Sequence, residues 1–376
     1  VGGNIGASEA LAGLTITQSN GASFSGSVNV SDSNSGTITL TDTTDGANIT
    51  FSGAVTADNF VTAAQGYDIF FNSDATFANA VTFQNTGTLD LGDQTSDTLT
   101  FNGGVTENTG GTVTIDGAIV SSNDAISFGN INVGTNLLSV TSAGGAISIG
   151  TITAASGSRD ISITSSGGSA NTVAVGAIGG NGRINTVAIT SGTLTTLNGN
   201  ITTDNNSGNS VTLAGTTTNG ANITIDTNNS SNDGAINLVG SVAGSNNNLA
   251  LDSGSAVITL SGTAFNLGSG SLTTTGDINL AANVSITATG GMTINDKIDA
   301  DDAGSNDRTL TLNSGTGATM TFNDAIGAAQ PLAGLTISQS DGVTFNSTLS
   351  ITDGSPGTLT VTDTENGSDI IFNGVV

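Results

Sequence analysis

"TFSGAV", residues 50–55, sets an aromatic residue before two small or polar ones, a free position and an aliphatic residue at +4. The same frame recurs as "SFSGSV" at 23–28, "TFANAV" at 76–81 and "TFNGGV" at 100–105. It returns as "TFNDAI" at 321–326, "TFNSTL" at 344–349 and "IFNGVV" at 371–376. Phe24, Phe51, Phe77 and Phe101 form one closely spaced series, and Phe322, Phe345 and Phe372 form another. Weaker versions, such as "LNGNI" from Leu197 and "LAANV" from Leu280, fill the middle. A unit of about 20–27 residues therefore runs along the whole chain. Each unit holds two or three short strands and cannot bury an apolar face alone, so neighbours must stack.

The strands themselves are legible. "TITLTD", "NITFSG", "TVTIDG", "DISITSS" and "TLTLNS" alternate apolar residues with Thr, Ser or Asn, which is the period of a half-buried strand. Helical spacing is scarce, and Gly, Asn, Asp and Ser mark the turns. A propeller needs blades of about 40–50 residues, and an immunoglobulin-like array needs domains of about 100 residues, usually with a buried Trp. This chain has no Trp. The repeat predicts an all-β fold, a parallel β-solenoid of about 20–27 residues per coil over residues 1–376. Like residues then lie above like residues, so the seven phenylalanines of the motif form a stacked core, with Asn and Thr ladders outside.

A longer repeat contains the shorter one. Residues 5–55 return without a gap as 326–376, an offset of 321, with 25 identities over 51 positions. At about 23 residues per coil, one period spans about 14 coils, or roughly 65–70 Å at ~4.8 Å per strand. The chain reads as a window of a longer repetitive protein.

Composition excludes several function classes. Thirty acidic residues against four basic ones give a net charge of −26. Such a chain lacks the cations that displace counterions from nucleic acid, and it is repelled by anionic lipid. No apolar run approaches the roughly 18 residues of a membrane span. With no His there is no Ser-His-Asp triad and no His-ligated metal. With no Cys there is neither a disulfide nor a thiolate site. The Gly-rich pieces lack the G-K-[ST] of a phosphate loop.

One stretch gathers acids and bases, "NDKIDADDAGSNDR" from Asn295 to Arg308. Its plain reading is a solvated loop. Asp299, Asp301, Asp302 and Asp307 are also spaced as oxygen ligands for calcium, the one cofactor the sequence suggests. The EF-hand and calcium-nonapeptide patterns are absent. Asp42 in "TDTTDG" and Asp363 in "TDTENG" hold the same position of the long repeat and predict carboxylates that accept backbone N–H groups at a corner.

"LAGLTI", "TFSGAV" and "TFNGGV", set among Thr/Asn/Gly-rich strands, resemble the giant repeat proteins of bacterial surfaces, filamentous-haemagglutinin-like and autotransporter-passenger-like. The resemblance covers the chain in style, through motifs that encode corners and not chemistry. It implies a right-handed β-helical rod, export to the cell surface or medium, and a role in adhesion, aggregation or fibre formation. The expected function is therefore a non-catalytic structural segment of an extracellular bacterial fibre, sheath or adhesin. Its partners are further coils, by self-association or covalent continuation. A stalk that binds cell-surface glycans is the alternative, and a polysaccharide lyase or hydrolase the third.

Overall fold

In the strand Thr37–Thr43, Ile38 and Leu40 are fully buried while Thr37, Thr39 and Thr41 stay half-exposed. That alternation repeats through nearly every strand and fixes which face points inward. A computed structural model describes residues 1–108, 110–154, 159–167, 171–180, 182–204, 208–229, 232–244, 246–302, 308–353 and 357–376. The fold is an all-β parallel β-solenoid, and the chain divides into two compact units. Unit 1 holds residues 1–184 and 189–193, and unit 2 holds 185–188 and 194–376.

Each of the first four turns of unit 1 lays down three strands on three faces, and in the next turn the one bent strand Val113–Ser121 serves both the second and the third. The first turn uses Gly13–Ser19, Ala22–Phe24 and Val28–Val30, and the second uses Thr37–Thr43, Asn48–Phe51 and Val55–Ala57. Their pairing is parallel and in register: Gly13 with Thr37, Phe24 with Phe51, Val28 with Val55. Backbone groups are satisfied by the turns on either side, as when Val28 N donates to Ala54 O at 2.9 Å. Unit 2 follows the same plan. Its second face carries Ile223–Asp226, Leu249–Asp252, Leu272–Thr275, Met292–Ile294, Met320–Phe322, Val343–Phe345 and Ile370–Phe372, all parallel. Among the described residues the one helical turn is Asp32–Asn34.

Coil length varies more than the sequence suggests. The step between paired positions is short from Val113 to Ile131 and long from Met292 to Met320. Among the described residues of the first face, eight strands of unit 1 and six of unit 2 precede Gly334–Gln339. The strand Gly13–Ser19, its counterpart in the long repeat, is the first of those, so one period of the long repeat equals fourteen turns.

The phenylalanines form more than one column. Phe24, Phe51 and Phe71 stack on the second face of unit 1 at 5.1 Å between successive ring centres, with interplanar angles of 9° and 11°. Phe77 and Phe101 stack on the third face at 5.3 Å. Phe60 and Phe83 fill the space between, so that seven rings form one cluster. The motif marks a tight corner, and each turn has several. In "SFSGSV" and "TFSGAV" it leads from the second face to the third; in "TFANAV" and "TFNGGV" it leads from the third to the first of the next turn. A single series read from spacing therefore splits in space. In unit 2, Phe322, Phe345 and Phe372 make one column at 5.1 Å.

The glycine of the motif has its own cause. A Cβ at Gly53 would lie 2.5 Å from the carbonyl carbon of Gly26 one turn earlier. Stacked corners approach too closely for a side chain.

Candidate functional site

The acidic stretch of unit 2 is drawn into the fold. Asp299 lies on the outward row of Ile298–Ala300, in register with Asn279. Its Oδ1 accepts the backbone N–H groups of Ala329 and Gln330, both at 3.0 Å, and so pins a later loop. Asp301 receives two bonds from Arg308, Nε to Oδ1 at 2.8 Å and Nη2 to Oδ2 at 2.7 Å. This fork holds the Asp301 carboxyl below its usual range and pushes the guanidinium up. Asp302 is exposed and adds to the negative field around Arg308. Asp307 lies outside the described residues. Lys297 Nζ stands 3.6 Å from Asp277 Oδ2, in an exposed pair. Both oxygens of Asp301 and one of Asp299 thus already hold protein donors. Among the described residues, no three acidic side chains converge as metal ligands.

The repeated aspartates Asp42 and Asp363 reach sideways. Asp42 accepts the side-chain amide of Gln18 at 3.4 Å, and Asp363 that of Gln339 at 3.2 Å. The corner role expected of them is filled elsewhere, and by a neighbouring turn. Asp58 accepts Gly36 N at 2.8 Å, Asp74 accepts Thr98 N at 2.8 Å, and Asn222 accepts Asn248 N at 3.0 Å. In each case a side-chain oxygen ties one corner to the next, an inter-turn form of the Asx bond.

A second acidic group, in unit 1, carries no sequence signature. Asp90 faces outward between Phe70 and Thr114 in register. Burial, and then the charges of Asp116 and Asp93, push its carboxyl up from 3.8 to about 6. Asp116 is buried at the bend of the strand Val113–Ser121, where the register shifts between Ile115 and Gly117. A Cβ at Gly134 would overlap the Asp116 carboxylate. The Gly134 carbonyl accepts Nε and Nη2 of Arg159 at 3.0 and 2.6 Å. A buried carboxylate and a guanidinium thus both lie against Gly134.

The outer face of unit 2 carries a ladder. Asn373 Nδ2 donates to Asn346 Oδ1 at 2.8 Å, Asn346 to Asn323 at 2.9 Å, and Asn323 to Asn295 at 2.9 Å. Asn295 continues to Thr275 Oγ1 at 3.5 Å. Two residues back on the same strands stands a second column, Thr273, Thr293, Thr321 and Thr344, paired in register. Comparison with protein-family models, curated proteins and solved structures gives no match. No helix among the described residues is long and apolar enough to cross a membrane.

Proposed function

We propose that this chain is a structural segment of an extracellular bacterial surface fibre, sheath or filamentous adhesin, acting mechanically and not catalytically. One observation carries the reading: the two copies of the long repeat build the same local structure fourteen turns apart. Phe24 stacks on Phe51 at 5.1 Å and 9°, and Phe345 on Phe372 at 5.1 Å and 7°. Gln18 bonds Asp42 in the first copy, and Gln339 bonds Asp363 in the second. A period of whole turns can be added without changing which face any residue occupies. In stacked arrays stability is close to a sum of nearest-neighbour terms, so length grows without redesign. The scattered basic residues, the lack of His and the engagement of Asp299 and Asp301 in bonds to their own chain all favour this reading over an enzyme.

Cryo-electron microscopy of the native material tests it. Fibres with a layer spacing of ~4.8 Å and a long repeat of fourteen layers are expected. Discrete particles without that layer spacing would overturn the fibre reading.

A further inference from the structure

The Thr and Asn columns of unit 2 make an unusual strip. Over four consecutive turns they present Thr273 with Thr275, Thr293 with Asn295, Thr321 with Asn323, and Thr344 with Asn346. None of these side chains is charged, on a chain of net charge −26. Charges flank it, at Asp252 in register with Thr275 one turn earlier, at the exposed pair of Asp277 and Lys297, and at Asp296, Asp324 and Asp341 in the adjoining sequence. The asparagine amides are already aligned by their own ladder, so little side-chain freedom remains to be lost on contact. Each amide keeps a second N–H and a second lone pair for a partner.

We propose that this strip is a lateral contact between two copies of the chain, face against face. The inference rests on the fibre reading for its purpose and adds the partner of one face. In-register columns, one of four Thr and one of a Thr followed by three Asn, at the strand spacing are one half of a steric zipper, and the natural other half is the same set of columns. Hydroxyl and amide groups are donors and acceptors at once, so the strip is complementary to itself and supports a two-fold, isologous contact. An uncharged strip is also where two strongly acidic rods approach at least electrostatic cost. A partner with any other axial period loses register within a few turns. The strip is roughly 19 Å long and about 7 Å between its columns. That is far below the ~800 Å² per partner of a stable complex. One contact is therefore short-lived, and recurrence along a fibre supplies the avidity.

The chain has no Cys, so single cysteines report cleanly. Thr293→Cys, Thr321→Cys and Thr344→Cys would be treated separately with a short bis-maleimide at low and high salt. Thr100→Cys, on the third face of unit 1, serves as the reference. Linked dimers above the Thr100→Cys level are expected at one or more strip positions, increasing with salt and lost when Thr293→Glu is added to Thr321→Cys. Three variants guard against one that misfolds. Equal linkage at Thr100→Cys and the strip positions, or linkage unaffected by Thr293→Glu, would overturn the proposal. Single unpaired fibres would remove the lateral contact and leave the fibre reading standing. Specific linkage without fibres would do the reverse.

Discussion

At the scale of single residues, two buried hydroxyls make opposite predictions. Tyr67 is fully buried; its hydroxyl accepts Ala63 N at 3.0 Å and lies 3.2 Å from Leu40 O, to which it donates. Tyr67→Phe removes these bonds while Ala63 N keeps its own bond to Leu40 O at 3.0 Å, and is expected to cost about 1 kcal/mol in chemical denaturation. Thr274 is as buried, among Leu251, Leu272 and Ile278, but its hydroxyl has no partner. Thr274→Val is therefore expected to stabilise, by about 1 kcal/mol; a loss of stability would show that the hydroxyl is satisfied in solution. Asp90 predicts a pH dependence. Its folded carboxyl binds a proton near pH 6 and its unfolded one near 3.8, so the folded state takes up the proton first as pH falls. Through this group stability rises as pH drops from neutral towards about 4, and the penalty is present in full above about pH 6. Asp90→Asn should melt higher than the parent at about pH 7.5 and level with it near pH 4. A difference independent of pH would contradict the assignment. Little of this is legible in "TLDL", because the burial and the larger of the two charge effects come from other turns, where Phe70 and Asp116 stand.

Among strands and corners, the sequence carries more. Alternation in "TITLTD" suffices to place Ile38 and Leu40 inside, because a strand in a stack has only two sides. The +4 motif locates tight corners correctly but not which corner of the turn. The chain distance between stacked rings differs from Phe51–Phe71 to Phe77–Phe101, because it depends on loop lengths elsewhere in the coil. Phe60, Phe71 and Phe83 lack the motif and escape it, although they complete the cluster. Phe51→Ala should cost about 3–5 kcal/mol, since its ring is held between two others with no room for collapse. The acidic stretch is visible as charge, but the pairing of Asp301 with Arg308 is a matter of loop path. With Arg308 on both Asp301 oxygens, added calcium is expected to leave the melting temperature unmoved. A calcium-dependent rise, abolished by Asp301→Asn, would restore the cation site.

For the whole molecule, the governing quantities are net charge and period. Thirty acids against four bases repel one another at low ionic strength, and only a few partners offset them. Melting temperature should therefore climb between about 10 mM and about 1 M salt, as the Debye length falls from about 30 to about 3 Å; a flat profile would mean the carboxylates are neutralised in some other way. The duplication has a consequence at the level of the gene. Because the long period amounts to fourteen whole turns, an unequal exchange between the two homologous stretches removes or inserts complete turns and never a fraction of one. Every product of such recombination keeps its buried residues buried, so the number of turns can change by whole periods while each length remains foldable.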